Sequence, residues 1–462
     1  MRQPRILLHV DERRRDVAAL CALQLLLEEG GARVTVSTRR TTPLLARRGR
    51  YEAVILPAHD QLPSDLCERL SRRSRIYFLP TEGAWFGERA LMIKYGGGYD
   101  SELWGEHVRR IRKFFLWGEY SRKVLLDTGL FRDDQLEVLG GIRMDYFLAQ
   151  PLPEEAALHD PRSLGTISNF LQINPYLQDN VFNTVDRMRT RHGLYYGYGR
   201  HIEDRYWIEV ARLRVWFEFL EECRRRGEGV SLRIHPRESL AAYGDPLSRY
   251  PNVLTLADQE IPFESWLLRL GVPVGFNSTT FFEVVAAGRP GVSLEGLIGP
   301  RLADHADGFL QYHYPIMDFI ETPTTLDQLF RYVEKVRAGE WSAQAAYGPE
   351  AQALLRSVCL YPRPFSTLSA VVRMVLSDLG ADAPGGTGGL LDAAAHLEAR
   401  ALEWVTFRLR RHPVTSFWFP WTPGPFRRKH AIEIARYLRA ARSHPFSGSS
   451  PAPREAAVSV TS

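Results

Sequence analysis

Arg5-Ile6-Leu7-Leu8-His9-Val10, then Asp16 to Glu29, then Gly30-Gly31 and Arg33-Val34-Thr35-Val36-Ser37: this stretch decides the fold. The first run reads as a strand. The segment to Glu29 carries apolar residues at helical spacing, and the glycine pair is a good helix C-cap. The β-branched run after it reads as a second strand. The alternation continues through Ala53-Val54-Ile55-Leu56-Pro57, Arg75-Ile76-Tyr77-Phe78-Leu79-Pro80, Phe114-Phe115-Leu116-Trp117-Gly118 and Leu136-Glu137-Val138-Leu139-Gly140. Short apolar runs alternating with amphipathic helices predict βαβ units around a parallel sheet.

Residues 148–162 are rich in Pro, Ala and acids and read as a linker. A second α/β series follows: Gly165-Thr166-Ile167-Ser168, a long helix from about Asp204 to Gly227, then strands at 230–234, 252–256, 272–275 and 291–294. Helices are predicted over 324–338 and 366–379. The expected organisation is a Rossmann-like acceptor domain at 1–150 and a Rossmann-like nucleotide domain at 163–380. A helical aromatic-basic appendage at 390–445 and a disordered Ser/Pro/Ala tail at 446–462 complete it. No repeat of solenoid length is present.

A chain of 462 residues suggests two or three domains. Its apolar and charged fractions are those of an ordinary soluble globular protein. The net charge of +5 is slight, and no nucleic-acid module pattern accompanies it, so no nucleic-acid partner is expected. Cys21, Cys67, Cys223 and Cys359 are far apart and form no CxxC pair. They predict reduced core thiols with neither a metal site nor a redox motif. The chain opens directly on a strand, so no signal peptide is expected, and no apolar run approaches the roughly 20 residues of a membrane span. A cytoplasmic protein is expected.

Two consecutive doubly wound domains place a ligand cleft at the carboxyl ends of their strands. The candidate residues sit there. Leu232-Arg233-Ile234-His235-Pro236-Arg237 reads as a buried strand ending in an imidazole flanked by two arginines. His235 could donate to a phosphate oxygen that gains charge as a leaving group departs; a backbone-bonded strand-end histidine is the other reading. Asn277-Ser278-Thr279-Thr280 opens a helix with hydroxyl residues that could clamp a phosphate or simply cap the helix. Glu283 could close a capping box. Thr81-Glu82-Gly83 puts a carboxylate just after a strand, either as a general base for an acceptor hydroxyl or as a loop glutamate, with Gly83 allowing close approach of substrate.

Arg15 and Asp16, in the charge run after the first strand, read as an anion or acceptor site or as a solvated run with Asp16 as cap. Lys94 lies in a glycine-rich loop without phosphate-loop spacing and is an acceptor-side candidate. Glu260, in a strand-end loop, could bond a ribose. Phe417-Trp418-Phe419-Pro420-Trp421, bracketed by Arg and Lys, could lie at an anionic membrane surface or pack on the main body.

His235-Pro236, the Ser278-Thr279-Thr280 turn and Glu82-Gly83 together resemble the short motifs of bacterial GT-B glycosyltransferases that use CMP-activated sugars, the sialyltransferases and Kdo transferases. The opening segment with Arg15-Asp16, and Pro80-Thr81-Glu82-Gly83, are also similar to bacterial surface-carbohydrate biosynthesis proteins. The similarity covers roughly residues 1 to 340. It implies an α/β, GT-B-like fold of two Rossmann-type domains. It implies inverting, metal-independent transfer from a nucleotide sugar, with no cofactor, to a surface polysaccharide or lipid-linked glycan at the inner face of the membrane. Glu82 would be the base, His235 would assist departure of the phosphate, and Arg233, Pro236, Asn277, Ser278, Thr279 and Thr280 would surround it. Thr81 departs from the pattern, which has a second acid there. CDP-glycerol-type teichoic acid polymerases share a similar His-Pro and hydroxyl arrangement and are the alternative, as is a non-catalytic scaffold of polysaccharide assembly. A two-domain epimerase would need a further acid that no residue here supplies by position.

Overall fold

The computed structural model describes residues 3–10, 13–38, 41–57, 64–84, 91, 95, 108–171, 173–174, 202–236, 238–259, 261–299, 314–382 and 430–446. The chain divides into two units. Unit 1 comprises 1–84, 88–150 and 356–462, and unit 2 comprises 85–87 and 151–355.

Unit 1 is built on six parallel strands: β1 (Arg5–Val10), β2 (Arg33–Thr38), β3 (Ala53–Leu56), β4 (Arg75–Phe78), β5 (Ile111–Leu116) and β6 (Leu136–Val138). Their spatial order is β2-β1-β3-β4-β5-β6. β1 and β3 are buried at every position, as strands of a parallel sheet with helices on both faces must be. β1 therefore reads as an apolar run rather than an alternation. β1 pairs with β2 on one side and β3 on the other, so the sheet switches direction beside it.

Unit 2 carries five parallel strands: β7 (Leu164–Ile167), β8 (Val230–Arg233), β9 (Leu254–Leu256), β10 (Val272–Gly275) and β11 (Val292–Ser293). The order is β11-β10-β7-β8-β9, which makes β7 the switch strand. The long helix Ile202–Arg226 lays Trp216, Phe219, Leu220 and Cys223 into the core of this unit. Trp216 donates its indole N–H to Thr166 Oγ1 at 3.1 Å and meets Phe170 edge to face. A ring of that size, fully buried, is worth roughly 3–5 kcal/mol against Ala.

The expected boundary near residue 380 differs from the structure. Residues from Arg356 onward return to unit 1, and helices Thr367–Asp382 and Ala431–Ser443 pack on helix Arg13–Glu29. Polar side chains fasten them. Asp145 pairs with Arg363 and accepts the N–H groups of Thr367 and Leu368, each at 2.9 Å. Arg436 donates to the carbonyls of Tyr146 and Ala149. The predicted helix 390–411, the aromatic-basic run with Phe417, Trp418, Phe419 and Trp421, and the tail from 447 lie outside the described residues. Among the described residues no helix is long and apolar enough to cross a membrane.

Candidate functional site

In unit 1, β1 and β4 lie on either side of β3 and deliver two candidate segments to the carboxyl end of the sheet. Helix Arg13–Glu29 starts just after β1, so Arg15 and Asp16 fall in its first turn. Thr81 and Glu82 follow β4 after Leu79 and Pro80. The four side chains form one network. Arg15 grips Asp16 through both nitrogen arms, at 2.6 and 3.1 Å, and reaches Thr81 Oγ1 at 3.1 Å and Glu82 Oε2 at 3.3 Å. Thr81 donates its hydroxyl to Asp16 Oδ2 at 2.9 Å.

Asp16 is completely buried, so it is neither part of a solvated charge run nor a surface cap. Arg15 reaches two carboxylates, those of Asp16 and Glu82. The burial of Asp16 thus corrects the solvated-run reading of this pair. Arg15 and Asp16 hold Thr81 and the half-buried Glu82 in place. Position 81 carries a hydroxyl, and the nearest acid bonded to it is Asp16.

The close approach at Gly83 is to Trp117. A Cβ there would sit 2.2 Å from the Trp117 ring, and one at Gly141 would sit 2.7 Å from the same ring. Trp117 fills the space between them and donates its indole N–H to the Pro80 carbonyl at 2.9 Å. Tyr95, buried, donates its hydroxyl to the Glu82 carbonyl at 2.9 Å. Lys94 lies outside the described residues.

In unit 2 the switch strand organises the site. β7 runs into Ser168 and Asn169 between the ends of β8 and β10. Ser168 Oγ accepts the backbone N–H of His235 at 2.8 Å. Asn169 donates from its side-chain amide to the carbonyl of Asn277 at 3.2 Å. One dipeptide therefore ties the histidine turn to the hydroxyl turn. Neither residue stood out in the sequence, because a Ser-Asn pair after a strand signals nothing until its neighbours in space are known.

His235, Pro236 and Asn277 to Thr280 are all half-buried. Helix Thr280–Ala286 has seven residues, and Thr279 makes no side-chain cap to it, so no capping box with Glu283 forms. Ser278 Oγ accepts from the Thr280 N–H at 3.3 Å and from the Thr280 hydroxyl at 3.0 Å. With both lone pairs engaged, the Ser278 O–H proton is left to serve another acceptor. The Asn277 N–H donates to Glu295 at 2.9 Å, and Glu295 pairs with Arg212.

Arg233 is drawn away from a phosphate role. It is buried, and its guanidinium donates to the carbonyls of Asp258 and Ile261 at 2.7 and 2.6 Å. Buried Gln259 adds bonds to Leu232 and Ile234 of the adjoining strand. Arg233 and Gln259 thus hold the strand-end loop, while Glu260 in that loop lies outside the described residues. Among the described residues no cluster of His, Cys, Asp or Glu could hold a metal ion. All four cysteines are buried, and none is in a disulfide. Burial pushes the Cys67 thiol up to about 11, which keeps it protonated and non-nucleophilic at neutral pH.

No family model and no curated protein matches the sequence. Solved structures do. A variant of the wall teichoic acid polymerase TagF is similar at a TM-score of 0.52 and 9% identity, over 82% of this chain and 90% of that one. A TagF variant soaked with CDPG gives 0.50 at 10% identity, over 82% and 90%. A UDP-GlcNAc 2-epimerase from Methanocaldococcus jannaschii, in complex with UDP-GlcNAc and UDP, gives 0.46 at 11%, over 81% and 99%. With two parallel-sheet units of this order, the fold is GT-B-like, two Rossmann-type α/β domains.

Proposed function

We propose that this chain is an inverting glycosyltransferase that moves a sugar from a CMP-linked donor to a surface polysaccharide or a lipid-linked glycan. The observation that carries the reading is the Ser168-Asn169 bridge, which brings His235 and the Ser278 turn to one end of the unit 2 sheet. That end is where open α/β sheets bind nucleotides. A half-buried imidazole beside hydroxyl donors suits a phosphate that gains charge. The TagF structures, one of them soaked with CDPG, support a nucleotide-linked donor and a cell-surface glycan product.

In this reading the acceptor hydroxyl oxygen bonds to the anomeric carbon, and its proton passes to Glu82. The bond from that carbon to the phosphate oxygen breaks, and the electron pair leaves on the phosphate. His235 and Ser278 stabilise it by donation, so these protein groups supply the charge stabilisation without a metal ion. Arg15, Asp16 and Thr81 keep the Glu82 carboxylate in place.

The test is calorimetric titration of CMP, CDP, UDP and GDP into the full chain without added metal. Selective CMP binding, lost in His235→Ala, is the expected result. A CDP preference would move the donor to the CDP-glycerol type. Binding of none would leave a scaffold of polysaccharide assembly. Turnover in His235→Ala should fall by roughly 10²–10⁴, the usual scale for such a group; an unchanged rate would remove His235 from the site.

A further inference from the structure

Glu238 lies two positions beyond Pro236, its side chain wholly buried and unused in the scheme above. Three donors converge on its carboxyl group: the Phe170 N–H at 2.7 Å, the Tyr243 hydroxyl and the Ser168 hydroxyl. Ser168 Oγ is the atom that accepts the His235 N–H at 2.8 Å. The Glu238 N–H donates back to the His235 carbonyl at 2.9 Å. The His235 peptide is thus held from both sides by one residue and its hydroxyl partner.

We propose that Glu238 is the positioning residue of the nucleotide site: acting through Ser168, without touching the ligand, it fixes the turn that carries the His235 imidazole. The proposal rests on the reading of unit 2 as a nucleotide site. An apolar side chain in the same space would leave the buried Phe170 N–H and the Tyr243 and Ser168 hydroxyls without their acceptor, so the carboxyl group is what holds the turn together.

The chemistry adds a consequence. Burial pushes the Glu238 carboxyl up to about 7, against the lowering effect of the bonds from Tyr243, Phe170 and Ser168. Glu209, which accepts the Ile173 N–H at 3.2 Å, is the further acid facing it and raises it too. His235 is the cationic group of the same turn when protonated. A nucleotide phosphate arriving there brings more negative charge, so it binds better while Glu238 is neutral. Affinity therefore falls as pH rises through 7.

CMP titrated into the full chain at pH 6 and pH 8 tests this, with Glu238→Gln and Ser168→Ala as variants. Glu238→Gln stays neutral throughout. The wild-type to variant Kd ratio should rise by up to about tenfold between the two pH values, the change in neutral fraction of a group titrating near 7. Groups that titrate alike in both proteins, the CMP phosphate among them, drop out of the ratio. Ser168→Ala, a small change with little risk to folding, should weaken CMP about tenfold. A ratio that stays constant, or CMP binding untouched by Ser168→Ala, overturns the proposal. Should the wild type bind no CMP, the functional reading falls, and proton NMR of the His235 imidazole decides the rest. A midpoint that moves in Glu238→Gln supports positioning, and an unmoved one overturns it.

Discussion

Asp16 shows how a side chain can pass for surface charge and be core. Five neighbouring residues are charged, yet this one is sealed with Thr81 and Arg15 around it. Asp16→Ala would take from Arg15 and Thr81 the carboxylate both are bonded to, while Glu82 still faces Arg15, at a cost of about 1.5–3 kcal/mol, the scale for a lost charged hydrogen bond. Urea unfolding monitored by circular dichroism reads that cost, and a loss below 1 kcal/mol would place Asp16 outside the core network. Glu238 makes the opposite test. Its carboxyl titrates at about 7 folded against 4.5 ordinarily, so the cost of burying the charge is absent below pH 4.5 and grows as pH rises toward 7. Glu238→Gln should raise Tm at pH 8 and leave it nearly unchanged at pH 4. His235, Ser278 and Glu82 were conspicuous in the sequence because each has a distinctive type at a strand end. Ser168, Asn169 and Glu238 were not, since their meaning lies in bonds to residues far along the chain.

Elements were legible where one force dominates. Apolar runs in a parallel sheet announce themselves, and the eleven strands among the described residues fall within or overlap the runs read from the sequence. The docking of a helix depends on partners, and here periodicity is silent. Helix Thr367–Asp382 receives its N-terminal cap from Asp145, more than two hundred positions earlier. Its far end is tied by Asp378 to Tyr77 at 2.6 Å and to Arg112 at 2.7 Å. Burial alone would raise the Asp378 carboxyl, but the bonds from Arg112 and Tyr77 and the charge of Arg75 outweigh it and hold it below the usual range. A depressed acid contributes stability above its unfolded value and loses it as pH falls through the folded one. Acid below about pH 4 should therefore release this end of the helix, with amide exchange near Asp378 rising before exchange near Thr367. Simultaneous loss at both ends would mean that Asp378 holds nothing by itself. Asp145→Asn should cost more than loss of Asp378 at neutral pH, because buried Arg363 loses its counter-charge.

The chain path sets the units apart in a way chain order hides. Unit 2 is essentially one continuous stretch, residues 151–355, with its own core around Trp216 and Phe219. Unit 1 is assembled from distant pieces, and its sheet is complete by Val138 while the helices that cover helix Arg13–Glu29 arrive after Arg356. A sequence reading that cuts a chain into consecutive domains misses such a return, because nothing local marks residue 356 as leaving one core for another. The two units should then respond differently to truncation. A fragment spanning 151–355 retains every strand of its sheet and the Ser168-Asn169 bridge, so it should unfold cooperatively in urea and still bind the nucleotide the whole chain prefers. A chain ending at 355 keeps the six strands of unit 1 but leaves Asp145 without Arg363 and the helix N–H groups, and exposes the apolar face of helix Arg13–Glu29. Unit 1 should then lose its cooperative transition and bind hydrophobic dye, while the Trp216 environment of unit 2 stays native by fluorescence. If unit 1 keeps a sharp transition in the truncated chain, the returning helices are an ornament on a finished core. If it loses one, helices Thr367–Asp382 and Ala431–Ser443 belong to its fold as fully as β1 does.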